Sequence, residues 1–531
     1  MKRRQSVEIY SPVLGIKSDM MPELLDPRAA ASGANFKCYF GVNQKEYGTS
    51  LWATATAAFF TTAPTMLFAA TFPGISILEV ATPTNLYMYN ANTDLYVNDG
   101  QTYTGTYNDY WSAVMFNNAM IFTNGKDPMQ IKTAYNNTGT NLASAVSPTT
   151  FNAWCLQGLN GYLNLYHTFE NGAEFFKRVR WSSQAPLSYT AGTQDFSSGV
   201  AGAQDLDDGE GNLMQAVPLA GGMVIYFENS IHYQYFVGGD QVWQFQKMVP
   251  GVGIPSRRAA YGYQEVNFFI SNNNVYRYYG GYYLDPIGEP IKQALFAELN
   301  QGAINTVWLD YDKHEAELLV NIPTGTSTTP NVTWVYRVAD KAWTRRIRAH
   351  SSGTIYGREA GLTYGQITTP FGGQNYTFGD CNVQQGAATK LYGDVQGRVV
   401  KTDITVYSQS IAGTQVAQTY VYDTPDITGN KETDPQEGDH AEFTVTNQRW
   451  QRLTTEMYGT GQMHILTSTD HGNTFYELSQ SPVTLSNTAQ TYMLDMDVSN
   501  PYIRIRYTNS GLNDFVAVRY AKLDFVPGAQ W

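Results

Sequence analysis

The chain is a succession of β-hairpins with little between them, and no other feature limits its fold so strongly. AVMFNNAMIFTNG (Ala113–Gly125) is two apolar runs around Asn117-Asn118, residues that tolerate the positive φ of a two-residue turn. MVIYFENSIHYQYFVGG (Met223–Gly239) repeats the form around Glu228–Ser230. In its second arm Ile231, Tyr233 and Tyr235 alternate with His232 and Gln234, the pattern of a half-buried strand with the polar residues on its other face. Val266–Leu284 turns at Asn272–Asn274 and again at Gly280-Gly281; Thr306–Pro323 turns at Asp312-Lys313, Thr333–Ile347 at Ala339-Asp340, and Asn85–Gly100 is built alike. The turns at Glu228, Asn273 and Asp312 recur at about 40–45 residues and others at about 27. A period near 40 made of four-strand units predicts propeller blades, which close into a ring because one blade cannot bury both of its faces alone. One helix is expected, Glu289–Asn300, with Pro290 in its first turn and Ile291, Leu295 and Leu299 on one face.

Composition agrees with an all-β protein. Aromatic residues make up 14% of 531 and charged residues only 15%, with 38 Tyr and 47 Gly. That excludes disorder, coiled coils and helical arrays. The net charge of −12 excludes a basic nucleic-acid-binding domain. Cys38, Cys155 and Cys381 lack metal spacing and read as reduced core thiols. The basic start, MKRRQ, has no apolar run behind it, so no signal peptide is expected. Leu51–Phe72 is uncharged and long enough to span a bilayer, but its threonines and Pro64 suit buried strands better.

No nucleotide-binding, zinc-protease, CxxC or GxSxG signature is present. No catalytic, cofactor-binding or metal-ligating residue is therefore assigned, and the chain is expected not to be an enzyme. His464 and His471 flank Asp470 without ligand spacing. STDHGNTF (Ser468–Phe475) resembles the Asp box of sialidase-type propellers, where the Asp caps a hairpin turn. QDLDDGEGN (Gln204–Asn212) offers Asp205, Asp207, Asp208 and Glu210 as oxygen ligands for calcium, but its spacing is not that of an EF-hand, and it reads as a solvated loop. Lys341, Arg345, Arg346 and Arg348 crowd together and read as an interface or solvent-facing strand rather than a phosphate-binding patch. The run 423–440 is acidic and nearly free of apolar residues, and strand alternation resumes beyond it, as in Tyr502–Tyr507, where Ile503, Ile505 and Tyr507 face a core. The expected organisation is an N-terminal arm (1–36), a propeller (37–420), an acidic linker or loop (421–440) and a β-sandwich-like domain (441–531).

Several segments, in order, resemble a known family. These are GIKSDMMPELLDPRAAASGANF (Gly15–Phe36), AVMFNNAMIFTNGKDPMQ (Ala113–Gln130), RVRWSSQAPLSY (Arg178–Tyr189), Gly222–Ala259, Glu265–Lys292, Arg452–Phe475 and Tyr502–Gly511. The set resembles the tail nozzle, or packaged-DNA stabilisation protein, of short-tailed bacteriophages. Ser183 departs from the family's usual Asp, and Leu51–Phe72 is unusually free of charge. The resemblance implies a six-bladed propeller with added β domains. It implies a structural virion protein assembled in the host cytoplasm as a homohexameric ring under the portal and adaptor. That ring would hold tail fibre, spike or needle proteins, retain the genome, and pass double-stranded DNA without binding its sequence. No cofactor and no stable membrane insertion are implied. The low charge suits permanent interfaces, and an acidic wall does not hold phosphate. A glycan-binding or glycan-cleaving propeller is the alternative, favoured by the aromatic surplus and the Asp box.

Overall fold

Two environments account for nearly every strand of the chain: sheets covered on both faces and sheets covered on one. The computed structural model describes residues 4–39, 41–53, 59–90, 93–142, 150–184, 196, 199–357, 388–428 and 447–527. Among the described residues seven four-stranded antiparallel sheets follow one another along the chain. They are blade one (66–98), two (112–141), three (151–205), four (213–250), five (260–286), six (308–346) and seven. Blade seven combines His350–Tyr356, Thr389–Asp394 and Arg398–Asp403 with an early strand, Gly48–Leu51, which pairs Leu51 with Val400 and Gly48 with Asp403. The first strand of each blade touches the first strand of the next, and His350–Tyr356 touches Met66–Phe72, so the ring closes. The count is seven where the family resemblance implied six. The seventh blade is hidden from a sequence repeat because its strands lie at two distant places in the chain.

The hairpins form as their turn residues dictate. Asn117 and Asn118 sit at φ 48° and 61°, and Phe116 pairs with Ala119 across the two-residue loop. The alternation read in Ser230–Phe236 does not have a polar outer face: His232 and Gln234 are buried, whereas Tyr233 and Tyr235 are only half-buried. A blade is roofed by its neighbours on both sides, so polar side chains bond across the gap. Tyr166 Oη of blade three donates to Gln234 Oε1 at 2.7 Å, and Gln234 Nε2 donates to Asn164 Oδ1 at 3.0 Å. Of the uncharged stretch, Leu51 ends the closing strand and Met66–Phe72 is the inner strand of blade one; residues 54–58 lie outside the described residues. No described helix is long and apolar enough to cross a membrane. The expected helix is present as Lys292–Glu298 with a 3-10 turn, Glu289–Ile291, before it, and it buries Ile291, Leu295 and Leu299 between blades five and six.

Beside the ring stand two facing sheets. One holds Phe36–Tyr39, Val42–Lys45, Val516–Pro527, Gln448–Gly459 and Gln490–Asn500, with Gln5–Ile9 added on Val516–Pro527. The other is built on Ser32–Ala34, Tyr420–Asp423, Tyr502–Asn509 and Gln462–Ser468. Trp450, Leu453, Met463, Ile503, Ile505 and Phe525 are among the fully buried residues that fill this sandwich. Its boundaries differ from those read in the sequence. The residues expected as an N-terminal arm supply Gln5–Ile9 and Ser32–Ala34 to the sheets, and the start of the expected linker falls in Tyr420–Asp423, a sandwich strand. Thr424, Asp426 and Ile427 are buried, and the acidic residues 429–440 lie outside the described residues. The propeller is thus inserted into the sandwich.

The sandwich docks on the outer strand of blade six. Ile16 N donates to Trp343 O at 2.7 Å and Asn35 N to Arg345 O at 2.7 Å. Gly15 makes the approach possible: at φ 67°, a Cβ there would lie 2.4 Å from Trp343 O.

Candidate functional site

Because the strands of a blade alternate in direction, the loops divide between two faces of the ring. The connectors between blades emerge on one face, and the tips of each blade's first and third hairpins on the other. Two arginines cross the axis on the connector face. Arg258, in the connector 251–259, donates from Nη1 to Thr65 O at 2.9 Å and from Nη2 to Ser351 O at 2.7 Å. Its guanidinium lies 4.6 Å from the Tyr110 ring and 5.0 Å from Trp308. Arg257 lies over Trp154 at 4.7 Å and donates to Asn108 O at 2.9 Å. Blade five does not neighbour blades one and seven on both sides, so these contacts cross the axis. Neither guanidinium has a carboxylate salt-bridge partner among the described residues. Carbonyl oxygens and ring faces hold them, and burial draws both below the usual arginine range.

The hairpin face is of the opposite kind. Tyr279, Tyr282 and Tyr283 at the third hairpin of blade five are 55%, 69% and 73% exposed, and Phe236 and Val237 at that of blade four are also exposed. Gln246 Nε2 donates to Tyr282 Oη at 2.7 Å, which ties the blade-five tip to the outer strand of blade four. Tyr162 of blade three adds a ring 6.1 Å from Phe236. The signal was present in the sequence: residues 278–283 read Tyr-Tyr-Gly-Gly-Tyr-Tyr. A tight turn carrying that many rings cannot bury all of them, and only Tyr278 is buried.

Most of the charged groups singled out in the sequence are engaged by partners of opposite charge or by backbone carbonyls. In the acidic loop, Asp205 binds Arg178 at 2.7 Å, Asp208 binds His232 at 3.2 Å, and Glu210 binds Lys247 at 2.6 Å. These partners hold the connector between blades three and four. The basic cluster divides: Lys341 is exposed as a solvent-facing strand end would be, whereas the three arginines are turned to partners within the fold. Arg345 binds Glu298 at 2.8 Å, buried Arg346 bridges Glu46 at 2.8 Å and Glu317 at 2.6 Å, and Arg348 donates to Tyr47 O. Burial raises the Glu317 carboxyl. At Glu46 burial acts the same way, but Arg346, Lys37 and Arg348 outweigh it and hold the group down at about 2. Cys38 and Cys155 are free thiols, pushed up to about 11 chiefly by burial; Cys381 lies outside the described residues.

The Asp box caps a turn in the sandwich. Asp470 Oδ1 accepts from Thr474 N at 2.9 Å and from Ser468 Oγ at 2.7 Å, and hydrogen bonds from Thr474 and Ser468 hold its carboxyl at about 2. A cleft of about 410 Å³ lies where sandwich and blade six meet. Its charged groups are already paired: Arg345 with Glu298, and Arg506 with Asp423 at 2.7 Å.

No protein-family profile matches the chain, and no curated protein matches it. Solved structures resemble it at low identity. The extracellular domain of a one-component system protein of B. thetaiotaomicron is 9% identical with a TM-score of 0.40, over 89% of this chain and 61% of that one. An exo-β-1,3-galactanase of Phanerochaete chrysosporium is 9% identical with a TM-score of 0.24, over 97% and 100%. A family 29 carbohydrate-binding module is 15% identical with a TM-score of 0.15, over 23% and 75%. The fold class rests on the chain's own strands: a β-propeller with a β-sandwich around its chain ends.

Proposed function

We propose that this chain is a structural protein of a short-tailed phage virion, a subunit of the ring-shaped tail nozzle that retains the genome and lets it out. The observation that carries the proposal is the ordered set of family-like segments, which runs from Gly15–Phe36 to Tyr502–Gly511 and so covers both propeller and sandwich. Two features support it. The exposed rings at Phe236, Tyr279, Tyr282 and Tyr283 suit a permanent protein interface, where Tyr and Phe are enriched. The axis of each propeller is crossed by Arg257 and Arg258, so DNA would pass between subunits rather than through them. The acidic net charge keeps phosphate from adhering to such a passage.

The test is assembly. The purified chain, alone and with the phage adaptor ring, is expected to form a six-copy ring visible by electron microscopy. The paired change Tyr282→Ser and Tyr283→Ser is expected to weaken ring formation while leaving the melting temperature within error. A monomer at all concentrations that ignores the adaptor would overturn the reading. A second reading, a glycan-binding tail protein, draws on the same exposed tyrosines, since flat rings also stack on the C–H faces of sugars. Retention of the chain on immobilised host polysaccharide, lost in the same double variant, would favour it.

A further inference from the structure

Glu23, Asp426 and His471 come from three separate stretches of chain and meet at one edge of the sandwich. Glu23 lies in the 3-10 turn Pro22–Leu24, Asp426 follows Tyr420–Asp423, and His471 lies in the Asp-box turn. His471 Nδ1 is 2.5 Å from Asp426 Oδ2 and 3.0 Å from Glu23 Oε1. The three ligand-type atoms lie within 4.8 Å of one another. One imidazole nitrogen carries at most one proton, and two carboxylates contest it. A divalent cation in its place satisfies all three at once.

The surroundings fix the geometry independently of any ion. The Asp426 side chain is fully buried, and its other oxygen, Oδ1, accepts from Arg504 Nε at 2.7 Å, which orients the carboxylate as outer partners do in metal sites. The Tyr502 ring stacks on the His471 imidazole at 4.1 Å and sets its plane. His471 itself stands at φ 60°, a left-handed conformation uncommon for a side-chain-bearing residue, held by the capped turn of Asp470. Glu23 and His471 are 34% and 40% exposed, so an ion reaches them from solvent. Ligand atoms on tetrahedral zinc lie about 3.3 Å apart at bond lengths of about 2.0–2.1 Å. The two spacings from His471 Nδ1 therefore need to open by less than an ångström, and Glu23, on an outer turn, is able to adjust.

We infer that Glu23, Asp426 and His471 form a binding site for a divalent transition metal, of which zinc is the reference, with one coordination position left to water. One imidazole nitrogen with two carboxylate oxygens suits zinc better than the all-oxygen preference of calcium or magnesium. Bound there, the ion clasps the N-terminal segment to the Asp-box hairpin.

The experiment uses the full chain freed of metal by a chelator and titrated calorimetrically with zinc, and separately with calcium. One zinc per chain is expected, with a rise in melting temperature. His471→Asn retains a residue that accepts the left-handed backbone but removes the imidazole, so the turn is kept. It should weaken zinc by more than about 100-fold, since outer-partner changes alone cost about 10–100-fold. Glu23→Gln, on the surface, should weaken zinc by about tenfold, toward the low end of that range. No zinc uptake by the unaltered chain, equal affinity in His471→Asn (zinc then sitting elsewhere, as on Cys38), or calcium binding as tight as zinc would each overturn the assignment.

Discussion

A strand of the propeller and a strand of the sandwich obey different rules. Gly222–Phe227 and Glu317–Ile322 are buried at every position. Gln490–Asn500 exposes nearly every second residue. A blade has a neighbour on each face, whereas a sandwich sheet has one face in water. The polar groups follow the same division. The most deeply buried ion pairs of the propeller lie between blades: Lys132–Glu79 at 2.6 Å joins blades two and one, and Lys390–Asp310 at 2.6 Å joins seven and six, whereas pairs within a blade, such as Arg277–Asp285, stay partly in solvent. In the sandwich, Arg449–Asp497 and Arg452–Asp495 lie on the surface; buried Arg504–Asp426 stands against that trend. Burial thus makes polar groups structural in one region and leaves most of them incidental in the other.

The largest effect that follows is at Arg346, which serves two buried carboxylates at the junction of sandwich and ring. Arg346→Met strands Glu46 and Glu317 without their cation and is expected to cost about 3–5 kcal/mol, read by denaturant unfolding. A loss below about 1 kcal/mol, the range of surface pairs, would erase the distinction between the two regions.

A middle-sized effect is acid sensitivity. Burial holds His167, His232 and His350 below the ordinary imidazole value, and His350 well below it, with Arg348, Arg346 and Lys390 adding to the shift there. All three are in blades. A depressed folded value contributes stability that is present above the unfolded value, about 6.5, and is lost as pH falls. Each such histidine then removes up to about 1.4 kcal/mol per pH unit. Unfolding measured between pH 7 and pH 5 should show the fall, and His350→Gln should flatten it. Glu79 acts in the same window with the opposite sign: burial, opposed by Lys132, pushes its carboxyl up to about 7. Its raised folded value gives stability that is complete below the unfolded carboxylate value and is lost as pH climbs through 7.

The smallest effect is in the sandwich. Arg449→Ala should leave the melting temperature within error, because the Arg449–Asp497 pair stands in solvent. A clear loss would mean that the outer sheet face is covered.

The same division decides what the sequence could disclose. Runs such as MVIYF read as buried strands, and Asn117-Asn118 announced its turn, so the hairpins and the propeller class were legible. The polarity of Ser230–Phe236 misled, because alternation signals a wet face only where a sheet has one; Gln234 instead meets Tyr166 across a gap between blades. Arg345, Arg346 and Arg348 looked like a surface patch because their partners, Glu298 for the first, Glu46 and Glu317 for the second and Tyr47 O for the third, are spread through the sequence. His471 showed no ligand spacing for a like reason, since Glu23 and Asp426 lie far away along the chain.

The insertion of the ring into the sandwich also sets the order in which the molecule can be finished. Gln5–Ile9 pairs with Val516–Pro527, as Val7 with Leu523, and Gly48–Leu51 waits for Arg398–Asp403. A ribosome adding about 5–20 residues per second leaves those early strands unpaired for roughly 20–100 seconds. Such strands offer open edges to other nascent chains in that interval. A chain released before Val516 has neither its outermost strand covered nor its sandwich sheet complete. Completion of one sheet thereby reports that translation has run the whole distance between its strands, a proofreading of length performed by topology.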